Sequence, residues 1–65
     1  MIKIRVGKIE KTFDDAQAAM MYVADMAGDR PLDFQRIEYE SGDVVGMDYL
    51  TYYQGRLKET YSTRM

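Results

Sequence analysis

Apolar residues return at steps of three and four in one stretch above all, from Phe13 through Ala16, Met20, Val23 and Ala24 to Ala27. That is the signature of one helical face, and the spacing predicts a helix over roughly 14–27. Two caps are open at its start. Asp14 can pair with Gln17 in a capping box, or Thr12 can do the same with Asp15. Gly28 suits the left-handed position that closes a helix, and Pro31 follows three residues later. A single helix with one apolar face has nothing of its own kind to pack on, so the flanking segments must supply a sheet.

Those segments alternate as strands do, with two phase problems. Ile2, Ile4 and Val6 share one face, whereas Ile9 and Phe13 have the opposite parity. A two-residue turn at Gly7-Lys8 would repair the phase and pair Val6 with Ile9, Arg5 with Glu10 and Ile2 with Phe13. One long strand bent or bulged at Gly7 would do so too. The bent strand is the first expectation, because five-residue arms make a weak hairpin. Beyond the helix, Phe34 to Glu40 alternates, with Ile37 and Tyr39 on one side and Glu38 and Glu40 on the other. Ser41-Gly42-Asp43 signals a turn. Val44 to Tyr53 is β-branched and aromatic, but Val45, Met47 and Tyr49 have one parity and Leu50 and Tyr52 the other, which suggests a bulge near Gly46 or Asp48. Gln54-Gly55 turns into Arg56–Thr63, aligning Tyr52 with Leu57 and Tyr53 with Arg56. A second helix over 48–62 is disfavoured by Gly55 and the tyrosines. Ser62 to Met65 are expected to be loose. The fold class is therefore α+β: one helix on a small antiparallel sheet of three to five strands, in the order β-α-β-β-β, or β-β-α-β-β-β if Gly7-Lys8 turns.

The chain has 65 residues and neither Cys nor His. It is expected to form one domain over 1–65, with a core worth no more than ~3–5 kcal/mol. Disulfides and Cys/His metal sites are excluded. The usual base near neutral pH and the best thiol nucleophile are missing too, so the expectation is a protein that is not an enzyme. Asp14-Asp15 is explained by capping, and Glu38 with Glu40 by a solvated strand face. Asp43 and Asp48 with Glu38 and Glu40 lack the spacing of a calcium loop. The glycines at 7, 28, 42, 46 and 55 form no phosphate-binding motif. No catalytic residue, metal or cofactor is expected. The longest apolar run, Ala18 to Ala24, is too short to span a membrane. The N-terminus alternates apolar and basic residues instead of showing a signal peptide. Cytoplasmic location is the default.

Charge and tyrosine carry the functional expectation. Residues 1–13 hold net +3, 14–48 net −7 and 49–65 net +2. Six residues are Tyr, and Tyr49, Tyr52, Tyr53 and Tyr61 lie near Arg56, Lys58 and Arg64. Alternation across the Gln54-Gly55 turn puts Tyr49, Thr51, Tyr53, Arg56 and Lys58 on one face, exposed if the helix covers the other. Tyr with Arg is the composition of a protein-binding hot spot, and also of a stacking platform for single-stranded nucleic acid. The same tyrosines can serve simply to fill a minimal core. The expected contacts are Tyr49, Tyr53, Arg56 and Lys58, with Glu38, Glu40 and Asp43 as an acidic face. In make-up alone, and by no motif, the chain resembles small proteins of bacteriophages and mobile elements. That resemblance implies a protein-binding inhibitor of a host nucleic-acid-handling or defence protein, in the manner of anti-CRISPR proteins. A nucleic-acid binder and a self-assembling protein, such as a homodimer, are the alternatives.

Overall fold

A computed structural model describes residues 1–64. Five strands and one helix follow the order β1 (Ile2–Val6), β2 (Ile9–Phe13), α1 (Ala16–Ala27), β3 (Leu32–Glu40), β4 (Asp43–Tyr53) and β5 (Arg56–Arg64). All strand pairings are antiparallel, and the sheet runs β2-β1-β3-β4-β5. The α+β class holds, in the hairpin-first order.

The bent first strand is thus corrected to a hairpin. Val6 pairs with Ile9, Arg5 with Glu10 and Ile2 with Phe13. Gly7 has φ +59° and Lys8 does not share the positive value, as a type II′ turn requires. Short arms are not a weakness here, because β1 also pairs with β3 and α1 lies against β1 and β2. Tertiary packing supplies what the isolated hairpin lacks. The other two turns, Ser41-Gly42 and Gln54-Gly55, have positive φ at both residues. They are type I′ turns, whose twist matches that of the flanking strands.

The helix begins two residues later than expected. Asp15 is the cap, its carboxylate accepting the Gln17 N–H at 3.0 Å, so neither box proposed from the sequence forms. At the other end the Gly28 N–H donates to the Ala24 carbonyl at 3.1 Å, with φ +59° but ψ −121°, outside the left-handed helical region. The buried face is centred on Ala19, Val23 and Ala27, and Ala16 is exposed. Ala19 and Val23 pack on Ile4, Phe34 and Leu50, with Ile2, Val6, Phe13, Met20, Tyr22, Leu32 and Tyr52 around them.

The helix reaches β1, β2, β3 and β4 but not β5. A different construction covers the helix-side face beyond it. Arg36, Asp48 and Ser62 lie side by side across β3, β4 and β5. Asp48 has no exposed surface. Its carboxylate accepts from Arg36 Nε and Nη2 at 3.0 and 2.9 Å, from Ser62 Oγ at 2.6 Å and from Arg64 Nη2 at 2.6 Å. Arg64 also meets Glu38 at 2.9 Å. The expected looseness of 62–64 is therefore wrong, because Ser62 and Arg64 are tied to a buried charge; Met65 lies outside the described residues. Gly46 makes room for this. A Cβ there would stand 2.9 Å from Arg64 Cζ and 3.1 Å from its Cδ.

A bulge does lie beside Gly46, with Val45 as its extra residue, but it does not account for the apparent change of phase in β4, and there is none at Asp48. Residues 46 to 52 alternate without a break, and the extra residues are Val45 in β4 and Thr60 in β5, each unmatched in the register. The parity looked reversed because a buried Asp occupies the helix side while Met47 and Tyr49 occupy the other.

Burial pushes the Asp48 carboxyl up, but hydrogen bonds from Ser62 and Arg36 and the charges of Arg36 and Arg64 outweigh it, leaving its pKa below the usual value. The unfolded chain lacks those partners, so this stabilisation is complete above about pH 5 and is lost as pH falls through the carboxylate range. Urea midpoints measured from pH 7 to pH 3 should fall more steeply for the native chain than for Asp48→Asn, which starts lower. Parallel curves would show that the charge contributes nothing. Removing the group altogether, as in Asp48→Ala, leaves Arg36 and Arg64 with Glu38 as their one remaining carboxylate and Ser62 without its acceptor, and should lower the urea midpoint further than Asp48→Asn does. Gly46→Ala should displace Arg64. Adding Arg64→Gln to it should then cost little further stability, and full additivity of the two changes would contradict the close approach.

Candidate functional site

The register defines the face turned away from the helix. It carries Lys3 and Arg5 from β1, Glu10 and Thr12 from β2, and Asp33, Gln35, Ile37 and Tyr39 from β3. From β4 and β5 come Met47, Tyr49, Thr51, Tyr53, Arg56, Lys58, Tyr61 and Thr63. Tyr49, Thr51, Tyr53, Arg56 and Lys58 thus share one helix-free face, as alternation predicted. Tyr53 pairs with Arg56 and Thr51 with Lys58.

Tyr61 joins them for a reason that alternation hides. Counting by twos from Lys58 sends Tyr61 to the helix side. Thr60 is the extra residue of a bulge, fixed by its hydroxyl donating to the Tyr49 carbonyl at 3.0 Å, and it turns Tyr61 back to the open face. The Tyr49 and Tyr61 rings stand 6.0 Å apart at 55°, within the range of a tilted aromatic pair. Tyr49, Tyr53 and Tyr61 are 46%, 41% and 58% exposed. They are not core filling; Tyr52, on the helix side, takes that role.

The face is not uniformly bare. Ile37 and Gln35 are buried on it without any helix above them. Ile37 lies between Lys3 and Met47 in the register, and long side chains of this kind cover apolar surface with their stems. Lys3 sits 5.5 Å from the centre of the Tyr39 ring. Beside this small second cluster is a concavity of about 570 Å³, lined by Arg5, Asp33, Gln35, Tyr49, Thr51 and Thr60 among others. Sequence reasoning missed Arg5, Asp33 and Gln35, because they are ordinary strand residues until the order β1-β3-β4 sets them in adjoining rows.

Charge divides between the two sides. The open face holds Lys3, Arg5, Arg56 and Lys58 against Glu10 and Asp33, a net of +2 in a chain of net −2. Arg5 is bound to Glu10, which Lys3 also approaches at 3.8 Å. The acidic candidates lie elsewhere. Glu38 is on the helix side, 3.6 Å from Arg36 and 2.9 Å from Arg64, so it belongs to the Asp48 cluster. Glu40 and Asp43 face each other across the β3–β4 turn, both exposed. The structure does not bring these three together with the tyrosines. Among the described residues no group of three or more carboxylates is placed to hold a metal ion. Nor is any helix long and apolar enough to cross a membrane.

Comparison with protein-family models, curated proteins and solved structures returns no match.

Since Tyr49 and Tyr61 are exposed, replacing either with Ala should lower stability by less than about 1 kcal/mol, the pair contact included. Chemical denaturation checks this. A loss near that of a core residue would mean that the rings hold the sheet together and are not presented to a partner.

Proposed function

We propose that this chain is a non-catalytic protein-binding module that docks through its open sheet face. One observation carries the reading: the open face presents three exposed tyrosines, and one of them, Tyr49, lines a concavity that also holds both charges and an amide. Tyrosine and arginine supply most of the energy in many protein interfaces, since they bring large contact area with a polar end. A standard interface covers about 800 Å² per partner, roughly a sixth of the 4626 Å² this chain exposes.

The lining favours a polypeptide over single-stranded nucleic acid. A phosphate backbone is tracked by a groove of one sign, but here Asp33 lies in the lining and Arg5 is already paired with Glu10. Polypeptide offers donors, acceptors and both charges. In make-up the chain suits an inhibitor of a host nucleic-acid-handling protein, and the interface for that role would be the tyrosine face. Glu38 cannot serve as a free acidic contact without giving up Arg64.

Photo-crosslinking in the cells that encode the chain tests the reading. A photoreactive phenylalanine analogue placed at Tyr53 should yield an adduct with one protein, insensitive to nuclease. The same probe at Asp25, on the exposed side of the helix, should yield none. Adducts with nucleic acid from position 53 would overturn the proposal in favour of a stacking platform, and adducts of the chain with itself would point to self-assembly.

A further inference from the structure

Asp33 is the carboxylate of the open face that forms no ion pair among the described residues. Glu10 is held by Arg5 and Lys3. Among the described residues Asp33 accepts only the Thr51 hydroxyl, at 2.5 Å through Oδ1, and it lines the concavity with its second oxygen unpaired. Tyr49 adds a flat exposed ring to the same lining. Gln35, 7% exposed, accepts from Arg5 Nη1 at 3.3 Å through its oxygen, while its amide nitrogen has no protein partner among the described residues. Among the described residues no buried side-chain nitrogen or oxygen lacks a partner. The amide nitrogen of Gln35, a lining residue, therefore meets solvent and can donate to a partner's peptide carbonyl.

Resting on the docking face proposed above, we infer that this concavity receives an arginine side chain of the partner protein, with Asp33 as its counter-charge. Because Arg5 is paired with Glu10, the charge left within the lining is the negative one of Asp33, while the free cations of the face, Arg56 and Lys58, lie outside the lining. A cation is therefore favoured over an anion. The ring of Tyr49 selects guanidinium over ammonium, since a planar, weakly hydrated cation stacks on an aromatic face while keeping its in-plane donors for the carboxylate. A space of about 570 Å³ also has room for the planar group and the stem that carries it.

The test uses the full chain, labelled with nitrogen-15 and titrated with N-acetyl-arginine methylamide. Saturable shifts are expected at the backbone amides of Asp33, Gln35, Tyr49 and Thr51. The neutral citrulline analogue should bind about tenfold more weakly, as should the arginine compound on Asp33→Asn. That variant keeps an oxygen for the Thr51 hydroxyl and should stay folded, which its own spectrum verifies. N-acetyl-lysine methylamide should bind more weakly than the arginine compound. Absence of saturable shifts, shifts confined to another surface, or equal binding of citrulline or lysine would each overturn the inference. Its failure is separable from that of the docking reading. If the protein adduct from position 53 forms equally with Asp33→Asn, the arginine anchor falls and the docking face stands. If no protein adduct forms at all, the docking face falls whatever the titration gives.

Discussion

Asp48 is a charge placed where an apolar residue would be expected, and the C-terminal part of the sheet depends on it. The reason is one of length. A helix of 12 residues is about 18 Å long, whereas a strand of 11 residues such as β4 extends about 36 Å. One helix cannot roof such a sheet. Ile4, Ala19, Val23, Phe34 and Leu50 close the part it reaches. Beyond it, Arg36, Asp48, Ser62, Arg64 and Glu38 form a polar roof whose members bond to one another. The arrangement answers the usual objection to a buried carboxylate, because both oxygens have donors and two cations share its charge. It also joins β3, β4 and β5 by side chains where the helix offers β5 nothing.

Fixing β5 in this way leaves its other side free for use. Tyr61 stands beside Tyr49 only because Ser62 and Arg64 are held opposite Asp48 and Gly46 while Thr60 absorbs one residue of register. The bulge that aims Tyr61 also interrupts the outer edge of the sheet, a device that discourages edge-to-edge pairing. Structural polarity and surface chemistry are thus coupled along one strand: acids and arginines are consumed on the helix side, and tyrosines are presented on the other.

Much of this is written in the sequence. The helix is visible in the spacing of Val23, Ala24 and Ala27, and the turns at 41–42 and 54–55 in their glycines. The tyrosine face follows from simple alternation through Tyr49, Thr51 and Tyr53. What alternation could not show is where it is interrupted or misread. Asp48 looks like an outward residue, so its burial made β4 seem out of phase. Tyr61 was hidden by a bulge at Thr60 that has no glycine to announce it. Glu38 looked like part of a solvated face because its partner Arg64 is 26 residues away and was expected to be loose. The first hairpin was undervalued because its stability lies in β3 and the helix and not in its own ten residues. Each of these depends on contacts between distant segments, which local pattern does not record.

Amide hydrogen exchange, strand by strand, in the native chain and in Asp48→Asn is the most direct measurement of the claim that a buried carboxylate holds the last strand. Amides paired between β4 and β5 are expected to lose at least about tenfold more protection in the variant than those of the helix and of β1 with β3, whose loss reflects only the lower overall stability. Equal loss in every strand, or unchanged protection in β5, would contradict that claim.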